Sequence, residues 1–228
     1  MGRALAAALR AVAVPVRGPL GRGATCEGAA VVLLCVPDRE IGMAAAHVAP
    51  GSVVGHPGAS ADVSLLAPHD GFVMHPLLSV VDEGTVFAGA TAAVEGASPR
   101  ALATAYALAA RLGMHAREIP SGSRALYHAA ASAASNYLVT VEGLAETLAA
   151  GAGLDRAALA PLVRSTVENW VRLGADGALT GPIVRGDDET VTRQRAAVAL
   201  AAPQALALWD ALTIATRALA ARRVEPSS

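Results

Sequence analysis

The chain has 228 residues, 54% hydrophobic and 16% charged, with a formal net charge of -1; this composition sustains one generous core or two modest ones and excludes disorder as the dominant state. All 18 basic residues are arginines, which excludes a Schiff-base lysine and a phosphate-loop lysine. The near-even charge balance offers no footprint for nucleic acid, and no apolar stretch reaches the roughly 20 residues of a membrane-spanning helix.

Met1 to Arg10 reads as an amphipathic helix without the apolar core or cleavage site of a secretion signal, so a cytoplasmic location is expected. Gly2 to Leu9 also matches the stretch that follows the glycine turn of a dinucleotide-binding α/β domain. In that reading Gly2 stands in place of the last glycine of G-x-G-x-x-G, and the opening strand is absent; a plain amphipathic helix is the other reading. Val12 to Val16 reads as a short strand. The loop Gly18 to Gly23 after it carries Arg22, with Arg17 near, where an acid would bind a ribose 2′-hydroxyl, so the loop favours NADP(H) over NAD(H) unless Arg22 is a solvated turn residue.

Val31 to Val36 is an apolar strand closed by Pro37-Asp38, with Cys35 read as a buried reduced thiol. Helical periodicity over Asp38 to Val48 and Ser98 to Leu112 alternates with strand-like runs at Ser52 to Gly55, Gly71 to Met74, Val86 to Val94 and Met114 to Ile119. This is the pattern of a mostly parallel sheet covered by helices, with Asp38 and Ser98 as N-caps. Strand signals stop at Pro120-Ser121-Gly122-Ser123, which divides an α/β domain over 1–119 from an all-helical domain over 120–228. Helices are expected over Arg124 to Ala150, Asp155 to Leu173, Asp188 to Leu200 and Pro203 to Arg222, with Gly151 and Gly174 as stops and a frayed tail over Val224 to Ser228.

Val31 to Asp38, His75-Pro76-Leu77, Tyr127-His128-Ala129-Ala130-Ala131, Ser135-Asn136-Tyr137 and the run from Ala178 to Asp187 form a set. Through it the chain resembles, over essentially its whole length, a bacterial family of oxidoreductases that pair a Rossmann-like domain with a helical C-terminal domain of unknown function. That family is similar in layout to ketopantoate reductase and pyrroline-5-carboxylate reductase. The resemblance implies a Rossmann-like α/β domain lacking its first strand, followed by an all-α domain of the 6-phosphogluconate dehydrogenase C-terminal type. It further implies NADP held by Gly2, Arg22, Val36 and Pro37, a small-molecule substrate, and a homodimer built on the helices. Gly55-His56-Pro57-Gly58-Ala59 departs from the family pattern, since Pro57 replaces a hydroxyl.

His128, Ser132, Ser135 and Asn136 fall within one quadrant of an α-helix. His128 suits a general acid, Asn136 a substrate-orienting donor and Ser132 a further substrate contact, or else the stripe permits close helix packing. His75, at the carboxyl end of a strand, is the second acid candidate. Leu179 to Asp187 reads as a substrate loop in which Arg185 clamps a carboxylate, Asp187 orients it or caps the next helix, and Thr180 and the preceding Asn169 are ligands or structural groups. His47, His56, His69 and His115 have no metal-ligand spacing, and no G-x-S-x-G elbow occurs. The expected activity is NADP-dependent reduction of a small carboxylate-bearing carbonyl or imine; the competing reading is a non-catalytic, dimeric relative.

Overall fold

A computed structural model describes residues 1–222, so the expected tail over Val224–Ser228 lies outside the described residues. The chain divides into two compact units, residues 1–136 and 137–228.

In the first unit a five-stranded sheet runs in the order β1 (Val31–Leu33), β2 (Val53–His56), β3 (Asp70–Pro76), β4 (Thr91–Gly96), β5 (His115–Glu118). Only the β3–β4 pair is antiparallel. The period-two alternation of side chains splits the core. On one face Val53, Phe72, Met74, Ala92 and Val94 pack with Leu5 and Leu9 of α1 (Gly2–Ala11) and with Ala101, Ala105 and Ala109 of α3 (Pro99–Arg111). On the other, Val32, Leu34 and Val54 pack with Ile41 and Ala45 of α2 (Ile41–Ala45) and with Leu66. Three alanines four residues apart put α3 hard against the sheet. A Cβ on Gly96 would stand 2.3 Å from the Leu102 nitrogen.

Ser98 caps α3 as expected, accepting from the Ala101 N–H at 3.1 Å. Asp38 does not cap: it opens a 3-10 turn after Pro37, and its carboxylate accepts instead from the Ser60 hydroxyl at 2.6 Å. The expected strand at Val12–Val16 is not formed. A strand needs a ladder, and the Val14 N–H instead closes the end of α1 on Leu9 while Arg10 donates to the Val16 carbonyl. Val86 to Ala90 is likewise turn and loop, so β4 starts later than its sequence pattern suggested. The two cysteines are free; Cys35 keeps an exposed surface, yet burial of its thiol pushes the pKa up to about 11.

The single helix expected over Arg124 to Ala150 is three pieces: α4 (Arg124–Ser132), a π-helical turn over Ala133–Tyr137, and α5 (Leu138–Gly151). The second unit continues with α6 (Arg156–Ala178), α7 (Asp188–Ala201) and α8 (Leu206–Arg222). α5 runs through Gly151, and the left-handed residue after it is Gly153 at φ 77°. Gly174, at φ 70°, interrupts α6. Arg195 grips Asp210 with two bonds of 2.7 and 2.8 Å and Arg217 meets Asp188 at 2.5 Å, tying α7 to α8. No helix among the described residues is long and apolar enough to cross a membrane.

Candidate functional site

β1, β2 and β3 are parallel, so their carboxyl ends share one edge, where open α/β sheets hold ligands. That edge gathers polar groups otherwise foreign to so aliphatic a chain. β2 ends in His56, which is fully buried. Its Nδ1 accepts from the Gly58 N–H at 3.1 Å, so the neutral ring carries its proton on Nε2. Nε2 lies buried without a hydrogen bond of acceptable geometry, although the Asp62 backbone is near enough to favour the protonated ring. Burial outweighs this and the charge of Asp38, and pushes the His56 pKa down. Gly58 keeps this corner close: a Cβ would fall 2.5 Å from Asp38 Oδ1 and 3.2 Å from His56 Nδ1, so the Asp38 carboxylate would have to shift.

The penultimate residue of β3 is His75, whose Nδ1 lies 2.6 Å from the Tyr127 hydroxyl of α4, the two rings edge to face at 5.6 Å. Burial first, and then the charge of His128, press its pKa down to about 4. Burial raises that of Tyr127. Both groups are therefore neutral across the physiological range. Beside them Arg124, at the start of α4, forms a largely buried ion pair with Glu95 of β4. Val73, His75, Ala93, Ile119, Arg124 and Tyr127 enclose a cavity of about 10 Å³, at the lower bound for one water molecule.

Of the sequence candidates in this unit, His75 is inside the cluster, and His128 is exposed on α4 with its charge felt at His75. Ser132 ends α4, while Asn136 is exposed in the π turn, a local rewinding that breaks the even spacing expected of one α-helix. Gly2 opens α1 against the segment after β1, where a Cβ would stand 2.9 Å from that of Cys35. Val36 and Pro37 belong to that same segment, Pro37 preceding the 3-10 turn. Arg22 is highly exposed and pairs with Glu40 at 2.9 Å.

The remaining candidates belong to the helical unit. Asp187 caps α7, accepting from the Thr190 N–H at 3.0 Å, and these bonds to Thr190 hold its carboxyl below the usual range. Asn169 accepts from Arg172 at 3.0 Å, while Thr180 precedes the turn that leads to Asp187 and Arg185 lies within it. Tyr127, Arg124, Glu95 and Ser60 had no role in the sequence pattern, and Asp38 had only that of a helix cap. A charged residue inside the apolar run Thr91-Ala92-Ala93-Val94-Glu95 was the one signal that could have flagged part of the cluster.

The sequence profile of a domain of unknown function, DUF2520, matches residues 90–216. No curated protein matches the chain. Among solved structures, a Bacteroides fragilis protein provisionally described as an NADP oxidoreductase superposes with a TM-score of 0.74 at 19% identity, covering 83% of this chain and 76% of its own. A Thermotoga maritima protein gives 0.76 at 24% identity, covering 84% and 79%. Plasmodium falciparum pyrroline carboxylate reductase, solved with NADP bound, gives 0.60 at 11% identity, covering 96% and 94%. At these identities the likeness establishes the fold: a Rossmann-like sheet unit followed by a helical one.

Proposed function

The chain belongs to the DUF2520 family, and from that premise we propose that it is an NADP(H)-dependent reductase of a small carboxylate-bearing carbonyl or imine. The observation that carries the reading is the neutral His75–Tyr127 pair, 2.6 Å apart at the carboxyl edge of the sheet. The fold supports the cofactor, and so does the local geometry. Helix α1 begins with no side-chain cap and no acid in its first turn, closely packed on the segment that leads to Val36 and Pro37; this suits a pyrophosphate. Gly2, Val36 and Pro37 would hold it, and Arg22 would exchange Glu40 for the 2′-phosphate.

Bound NADPH supplies a hydride, and the reduced atom's neighbouring oxygen or nitrogen then needs a proton. Tyr127 gives it. His75, donating from Nδ1 to the tyrosine oxygen, and the nearby Arg124 charge stabilise the anion left behind. His128, exposed on the same helix, returns a proton from solvent. Asn136 and Ser132 orient the substrate by hydrogen bonds. Arg185 of the helical unit is proposed as a carboxylate ligand, with Thr180, Asp187 and Asn169 as its supporting polar groups. A homodimer in the cytoplasm completes the reading. It is supported by Val139, Leu162, Trp170 and Val171, all more than half exposed, and by an apolar groove of about 170 Å³ between α5 and α6 lined by Leu138, Leu159, Leu162, Val163 and Val167.

The test is NADPH consumption with a panel of small 2-oxo acids and cyclic imino acids. We expect at least one to be reduced, and Tyr127→Phe to lower kcat by on the order of 10² to 10⁴ with folding intact. Turnover unaffected by Tyr127→Phe would remove the acid from this pair.

A further inference from the structure

We infer that Glu95, acting through Arg124, is a positioning residue that holds the Tyr127 hydroxyl against His75. The β3–β4 register places His75 opposite Ala93 and Val73 opposite Glu95. His75 and Glu95 therefore stand on the same face of the sheet, one pleat repeat apart. On α4, Arg124 and Tyr127 are three residues apart and share a face. Two matched polar contacts thus pin the same helix to the same pair of strands, the ion pair at its first residue and the Tyr127–His75 bond one turn later.

Little else fixes this end of α4. The helix is nine residues long, has no side-chain N-cap bond and contributes no fully buried residue. The ion pair, in contrast, is sheltered, its side chains 14% and 22% exposed. Removing one partner there leaves the other charge uncompensated and frees it to seek water. The groups whose charges reach His75 are Arg124, His128, Asp38 and His56. Glu95 holds Arg124 in the ion pair, and through it the helix that carries Tyr127.

The inference rests on Tyr127 and His75 being the proton-donating pair, but its test needs neither substrate nor cofactor. The His75 pKa is measured by imidazole nitrogen NMR in the whole chain, in the parent protein, Glu95→Gln, Tyr127→Phe and the double variant. Loss of the clamp admits water to His75 and lets Arg124, whose charge lowers the His75 pKa, turn out to solvent, so Glu95→Gln should raise that pKa by about one unit or more from a starting value of about 4. In the Tyr127→Phe background the same substitution should move it by less than half as much, since the contact it governs is already gone. A His75 pKa unmoved by Glu95→Gln, or moved equally in both backgrounds, overturns the positioning role. If circular dichroism shows Glu95→Gln unfolded, Arg124→Lys carries the same expectation, because it keeps the charge and loses the forked geometry. A flat His75 response with turnover intact rejects the clamp alone. A shifted His75 in a chain that consumes no NADPH supports the clamp and rejects the reductase reading.

Discussion

His75 is an imidazole that folding keeps neutral. Its pKa is about 4 in the folded chain against 6.5 when exposed, with burial the main cause. Between those values the unfolded state binds the extra proton and the folded state does not. Stability is therefore full above about pH 6.5 and is lost as pH falls toward 4; the loss from this group amounts to about 3 kcal/mol at most. His56, depressed by complete burial, acts in the same direction. Urea unfolding midpoints followed from pH 7 to pH 4.5 should fall, and fall less in His75→Phe. A midpoint independent of pH in this window would mean that both rings are hydrated. None of this was legible from residue type: six histidines can be counted in the sequence, but which of them the sheet buries depends on register and on what covers it.

Elements were legible where local chemistry and tertiary packing agree. α3 carries its own start signal in Ser98-Pro99 and its own packing face in three spaced alanines, and it forms as the sequence reads. The Asp187 cap of α7 was one of two readings open at that residue, and it is present. The failures have a common cause. Val12–Val16 has strand composition but no ladder to join, Asp38 has capping chemistry but a nearer hydroxyl in Ser60, and the π turn at Ala133–Tyr137 is a register change that hydrophobic periodicity does not encode. The close approach of α3 to β4 yields an element-scale prediction. Gly96→Ala would drive a Cβ into backbone at Leu102. We expect a loss of about 1–3 kcal/mol, read as a lowered urea midpoint with an unchanged slope; no loss would show that α3 is free to shift.

At the scale of the molecule, the sheet unit has two conventional cores and the helical unit has little. Its buried hydrophobics among the described residues are Ala149, Val191, Val198 and Ala202, while several large apolar side chains remain in solvent. A helical unit so constituted is expected to bury its apolar surface against a second copy. Light scattering at micromolar concentration should therefore return twice the 22.8 kDa chain mass, and a monomeric mass would leave that surface unexplained. The succession of a sheet-bearing part and then a helical part was readable in the sequence. The membership of α4 was not, because Arg124 and Tyr127 are bound to the sheet by tertiary contacts. The proposed cofactor can be checked without a substrate, by calorimetric titration of the chain with NADPH and with NADH. We expect saturable binding of one NADPH per chain, tighter than NADH by a margin that Arg22→Ala removes; no binding of either nucleotide would overturn the reductase reading.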